Sequence, residues 1–282
     1  MTIAAGFVYD DGVLLFADTQ VEALAMKTHE RKVGSFSCPG GQIGYAMAGN
    51  ASQATSAMQK CAKRIKKVRP EEVIEKMEEA LDDEYRRVVF SHPTYGTDWN
   101  LGYWFLISYW SASERRTHLF VTQEHTLKRV DDRRECIGIG RDLAHYLLTL
   151  SAHDSMDERR ALMLATYVLT KVKDHVPGCG GTSHLLVMRN DGFVYLANPF
   201  PFEQVARQSA PYEWSTRHLL VSTVNAELTD SEFEEAIDSV AANARHLRQT
   251  WRDSEAQVRT AGAKLHPQLA IGDPPREPPA PE

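Results

Sequence analysis

Thr2-Ile3-Ala4-Ala5-Gly6-Phe7-Val8-Tyr9, then Asp10-Asp11-Gly12, then Val13-Leu14-Leu15-Phe16-Ala17-Asp18-Thr19 is the stretch that decides the fold. Two apolar runs, 3–9 and 12–17, meet around an Asp-Gly pair, a strong hairpin signal. A β-hairpin is therefore expected at the N-terminal end, with a threonine directly after Met1.

Outward from the hairpin, residues 32–36 and 42–48 read as two further strands, split by the turn Cys38-Pro39-Gly40-Gly41. Ala51, Ala54, Met58, Cys61, Ala62 and Ile65 then recur at helical spacing, which predicts an amphipathic helix over 50–67. Pro70 ahead of Glu71 and Glu72 opens a second helix, with the stripe Val73, Met77, Ala80, Leu81 and Val88. The aromatic run 102–110 reads as a buried strand, followed by strands at 117–122 and 134–138. A third helix is expected over 141–151. Ser155 and Glu158 form a capping box for a fourth, striped by Ala161, Leu162, Ala165, Val168, Leu169 and Val172. Strands at 183–189 and 193–197 turn at Asn190-Asp191-Gly192.

Strands, two helices, strands, two helices and strands suit two antiparallel sheets packed face to face, with a helix pair outside each. The expectation is an α+β, four-layer α/β/β/α sandwich over residues 1–200. A C-terminal helical extension over 201–262 follows, with a polar helix at 229–260. The proline-rich stretch 263–282 reads as a disordered tail.

Composition narrows the function classes. With 43 % hydrophobic and 25 % charged residues, the 282-residue chain is ordinary for a globular protein with a sizeable core. A formal net charge of −6 argues against nucleic acid as a partner. No apolar run has the length of a membrane span. Four scattered cysteines without metal spacing suit reduced thiols in a cytoplasm. The histidines show no ligand spacing, so neither a metal nor another cofactor is expected.

Thr2 carries the chemistry. Removal of Met1 would put a hydroxyl and a free α-amine on one residue. The amine, with a reference pKa of about 8, is a usable base at neutral pH. Nucleophile and general base then sit on a single threonine.

The opening Thr2-Ile3-Ala4-Ala5-Gly6-Phe7, with Asp11-Gly12-Val13 and Ala17-Asp18-Thr19, resembles the start of proteasome β subunits and the bacterial HslV protease. Asp18, sixteen residues after Thr2, stands at the offset of that family's aspartate. Met26 to Val33 resembles the segment that ends in its lysine, here Lys32, with a loop about two residues shorter. Ile43 to Asn50 resembles the strand-to-helix turn holding the oxyanion-hole glycine, here Gly49. Cys136-Ile137-Gly138-Ile139-Gly140 and Gly178-Cys179-Gly180-Gly181 resemble the two glycine motifs of the accessory network. The resemblance covers about residues 2–197 and implies an N-terminal-nucleophile (Ntn) hydrolase, a threonine-type peptidase. Its partners would be a peptide or polypeptide substrate, further copies in a homo-oligomeric ring, and an ATP-dependent unfoldase.

A lysine near Thr2 would favour the deprotonated hydroxyl and amine, and Asp18 would hold that lysine in place. The backbone N–H of Gly49 would face the developing oxyanion. In the accessory network the chain departs from the family pattern. Ile139 and Cys179 stand where serines are usual, Val176 replaces an aspartate, and Asp174 lies just upstream. Cys179 reads as a turn residue rather than a nucleophile served by His175 or His184. Two other readings stay open: an Ntn amidohydrolase acting on a small amide, and a catalytically weakened scaffold subunit of a proteasome-like assembly.

Overall fold

The computed structural model describes residues 2–23, 26–95, 102–123, 126–151, 155–225 and 227–265. They form two compact units, Met1–Pro199 and Phe200–Glu282. The first is a mixed α+β unit with antiparallel sheets. The N-terminal hairpin is β1 (Ile3–Tyr9) and β2 (Gly12–Asp18), paired from Ala4↔Ala17 to Tyr9↔Gly12. Asp10 and Asp11 make the turn itself. Gly12 serves a different need, because a Cβ there would meet the carbonyl oxygen of Met188 at 2.1 Å. It lets the neighbouring strand approach.

That neighbour is β11 (Ser183–Arg189), which pairs with β2 and forms a hairpin with β12 (Val194–Ala197). On the other side β1 pairs with β10 (Arg134–Gly138). The first five-stranded sheet therefore runs β10-β1-β2-β11-β12. Its two central strands come from the first eighteen residues. They are buried on both faces, which explains their unbroken apolar reading.

The second sheet comprises β5 (Val33–Cys38), β6 (Gly41–Gly49), β7 (Tyr103–Ser111), β8 (Arg116–Gln123) and β9 (Thr126–Arg129), in that order. A small hairpin, β3 (Gln20–Ala23) and β4 (Met26–His29), links the two sheets in sequence. The sheets face each other through Ala4, Val13, Leu15 and Ala17 on one side and Val33, Ala46, Leu106, Leu119 and Val121 on the other. Burying side chains of this size stabilises the fold by about 1.5–3 kcal/mol each for Val and Leu.

Helices α1 (Ala51–Ile65) and α2 (Val73–Tyr85) pack on each other, and α1 lies on β6 and β7. Met58, Cys61, Ile65, Val73 and Met77 close that core over Ile43, Phe105 and Ile107. Pro70–Glu72 form a 3-10 turn ahead of α2, and Arg86–Phe90 widen its end into a π-turn. The extra residue of the π-turn shifts the helical phase, so Val89 rather than the expected Val88 is buried. Helices α3 (Arg141–Ser151) and α4 (Glu158–His175) pack together on the β1, β2, β10 and β11 side. The N-cap of α4 is Asp157, which accepts from the Arg160 N–H at 2.8 Å. Ser155, expected to cap it, donates instead to Asp10 Oδ2.

The second unit is helical: α5 (Phe200–Arg207), α6 (Ser209–Ser222) and α7 (Asp230–Leu265). Phe202 and Trp251 pack at 4.8 Å between ring centroids, joining α5 to α7. Asn243 on α7 donates to Ser215 on α6. The tail expected over 263–282 lies outside the described residues from 266 onward. No described helix is long and apolar enough to cross a membrane.

Candidate active site

Thr2 stands just ahead of β1, Asp18 ends β2, and Lys32 immediately precedes β5. The β1–β2 register places Asp18 beside Ile3, so the hairpin alone brings Thr2 and Asp18 together. The Thr2 hydroxyl donates to Asp18 Oδ1, and the Ile3 N–H reaches the same oxygen at 3.3 Å. Lys32 arrives from the far side. Its carbonyl is fixed by the Met47 N–H on β6 at 2.9 Å, so its position is set by the second sheet.

The Lys32 ammonium has three donors and three acceptors: Asp18 Oδ1 at 2.8 Å, Thr2 Oγ1 and the Gln20 carbonyl. All three side chains are shut away from solvent, Thr2 at 2 % exposure, Asp18 at 0 % and Lys32 at 3 %. Burial lowers the Lys32 pKa below the ordinary lysine value, and the Asp18 carboxylate opposes that shift. The lysine is thus an easily deprotonated ammonium held against a threonine oxygen. It can stabilise an alkoxide there, or pass a proton at that atom.

The loop between α4 and β11 completes the Asp18 shell. The Gly180 N–H donates to Asp18 Oδ2 at 2.8 Å, while the Gly180 carbonyl accepts from the N–H groups of Thr19 and Gln20. Thr19 Oγ1 takes the Thr182 N–H at 2.9 Å and lies 3.2 Å from His29 Nδ1. Sequence reading quoted Thr19 and His29 within its motifs but gave no role to them, or to Gln20 and Thr182. The one signal for them was that Thr19 and Gln20 directly follow Asp18.

Gly138 and Gly140 seat the threonine backbone. Gly138 has φ +90°, and a Cβ there would meet the Thr2 carbonyl oxygen at 2.3 Å. The Gly140 N–H donates to that oxygen at 3.4 Å. The intervening Ile139 is exposed.

Gly49 closes β6 with φ +93°. A Cβ there would strike the Gly102 carbonyl oxygen at 2.4 Å. Asn50 follows and caps α1 by accepting the Gln53 N–H. The contacts described for Gly49 run to Gly102 and Tyr103 rather than to Thr2. Cys179 is a buried thiol that a Gly140 Cβ would approach at 3.2 Å. Asp174 lies exposed in the last turn of α4, and no described bond joins it to the cluster. The carboxylate described in contact with the loop is Asp18.

No protein-family profile and no curated protein matches the sequence. Solved structures do match in fold. Anbu, described as an ancestral beta-subunit, from Yersinia bercovieri aligns with a TM-score of 0.64 at 13 % identity, over 81 % of this chain and 100 % of that one. The Anbu (Gly-1) mutant from Hyphomicrobium sp. strain MC1 aligns at 0.65 and 14 % identity, over 81 % and 100 %. A structure described as the helical assembly of the Anbu complex from Pseudomonas aeruginosa aligns at 0.60 and 16 % identity, over 81 % and 99 %. Identities this low speak for a shared fold.

Proposed function

We propose that this chain is a proteasome-like threonine-type endopeptidase, an Ntn hydrolase of the four-layer α/β/β/α type with a C-terminal helical extension. Thr2 becomes its nucleophile once Met1 is removed. The observation that carries this reading is the buried Lys32 ammonium, whose three donors reach Thr2 Oγ1, Asp18 Oδ1 and the Gln20 carbonyl. A structural lysine at a strand end has no need to point at a threonine hydroxyl inside the protein. The fold shared with an ancestral beta-subunit supports the same reading.

In this mechanism the Thr2 hydroxyl attacks a peptide carbonyl and its proton passes to the Thr2 α-amine. The Lys32 ammonium stabilises negative charge on Oγ1, and Asp18 holds both partners in line. The Gly49 N–H, at the end of β6, receives the oxyanion. The amine returns the proton to the leaving nitrogen, and water then hydrolyses the threonine ester. Self-assembly into a homo-oligomer, with an unfoldase as partner, is part of the proposal.

The test is peptide hydrolysis by protein whose mass shows Met1 removed. Replacing a nucleophile costs several orders of magnitude, so Thr2→Ala should lose at least about 10³-fold in kcat. Undiminished hydrolysis by Thr2→Ala would end the proposal.

A further inference from the structure

The loop 178–182 meets Asp18 through one backbone N–H, although serine and aspartate are missing from its motif. Something else must hold that loop. Lys173, in the last turn of α4, donates to the Gly181 carbonyl at 3.1 Å and to Ser183 Oγ at 2.7 Å. Ser183 opens β11 directly opposite Asp18 in the β2–β11 register. The two acceptors of Lys173 therefore bracket Thr182, and Gly181 directly follows Gly180, whose N–H reaches Asp18. Ser183 is buried, and the Gly181 carbonyl and Ser183 hydroxyl are neutral oxygens. An ammonium at a helix C-terminus also suits the dipole there.

The opposite side of the loop is tied as well. The Gly180 carbonyl accepts from Thr19 and Gln20, and Thr19 Oγ1 takes the Thr182 N–H. Gly181, at φ +75°, leaves no room for a Cβ, which would lie 2.4 Å from Thr19 Oγ1 and 2.6 Å from His29 Nδ1. The loop is clamped between the Thr19–Gln20 step and one lysine. Two of these bonds are backbone to backbone, which any sequence would offer, and the third uses the Thr19 hydroxyl. The ammonium of Lys173 is the side-chain contribution from α4.

We propose that Lys173 is a positioning residue of the Thr2–Asp18–Lys32 site, a strut that aims the Gly180 N–H at Asp18. It does the work of the accessory side chains that this chain lacks. This rests on the proposed peptidase reading for its kinetic consequence, but its structural consequence stands apart from it. With the strut gone, Gly180 withdraws from Asp18 Oδ2 and the carboxylate no longer fixes Lys32 against Thr2. Substrate contacts are untouched.

The experiment compares wild type, Lys173→Met, Lys173→Arg and Ser183→Ala as full-length, Met1-free protein. Two readouts are taken: peptide hydrolysis and amide hydrogen exchange at Gly180 and Thr182. Misplacement of reacting groups by about 1 Å costs about 10²-fold, so Lys173→Met should lose kcat on that scale with KM unchanged. Exchange at Gly180 and Thr182 should accelerate in the same protein, and Lys173→Arg should restore both. Ser183→Ala, which keeps the lysine and the fold, should show a smaller change of the same kind. Unchanged exchange at Gly180 and Thr182 in Lys173→Met overturns the strut, and should that variant not fold, unchanged exchange in Ser183→Ala does so. Accelerated exchange with unchanged kcat removes its catalytic role. If Thr2→Ala retains activity the peptidase reading falls, and the exchange rates still decide the strut.

Discussion

Replacing Lys32 with Met keeps most of the side-chain volume and deletes the ammonium. Asp18 is then left fully buried without its cation. Breaking a buried ion pair from one side costs about 3–5 kcal/mol. Three donors stay on Asp18, namely the Thr2 hydroxyl and the N–H groups of Ile3 and Gly180. The loss should therefore lie at the lower end, about 3 kcal/mol. For a unit of this size that lowers Tm by about 6–12 °C. The double variant Asp18→Asn/Lys32→Met is more telling. Desolvating two buried charges offsets most of their mutual attraction. The pair as a whole thus adds little, and removing both charges should cost no more than removing Lys32 alone. Urea denaturation of wild type, both single variants and the double variant gives the coupling, expected at about 2 kcal/mol. A Lys32→Met protein as stable as wild type, or strictly additive variants, would refute the buried pair.

Two further outcomes follow from the same geometry. Because burial depresses the Lys32 pKa, the unfolded chain holds that proton more tightly. Its contribution to stability is full above the ordinary lysine value of 10.5 and is lost as pH falls through the lower folded value. The urea midpoint of wild type relative to Lys32→Met should rise with pH approaching 10.5, and a flat difference would contradict this. Gly138→Ala forces a positive-φ residue and a Cβ against the Thr2 carbonyl, which should cost about 1–3 kcal/mol from backbone strain alone. Hydrolysis should also fall because Thr2 moves, and a fully active Gly138→Ala protein would show that Thr2 is not seated there.

The sequence exposes most of the first unit because its strands and helices are either fully buried or cleanly amphipathic. Residues 3–17 are apolar on both strand faces, and α1 and α4 carry unbroken stripes. Short polar elements escaped the reading. The hairpin of β3 and β4 has four residues per strand, and β9 (Thr126–Arg129) is a charged edge. Helix α6 lay within the expected helical extension but was not delimited, for another reason. Its buried positions are the serines 209, 215 and 222, whereas Trp214, Leu220 and Val221 are exposed, so it has no apolar stripe. Thr2, Asp18 and Lys32 were singled out by an order and spacing that resemble the proteasome β-subunit pattern, and the structure brings them together where β1 starts, β2 ends and β5 is about to begin. Of the supporting shell only Gly180 was legible, through its glycine motif; the backbone groups of Gln20 and Thr182 leave no trace in residue identity, and the side chains of Thr19 and His29 meet only in the fold.

The central claim is that residue 2 is a nucleophile. Its most direct test is exposure of Met1-free protein to a peptide epoxyketone, a probe that reacts with the hydroxyl and amine of an N-terminal threonine, followed by mapping of the adduct by mass spectrometry. A single adduct on Thr2, absent from Thr2→Ala and from protein that retains Met1, is predicted. Folded, Met1-free protein that forms no adduct, or forms one elsewhere, would contradict it.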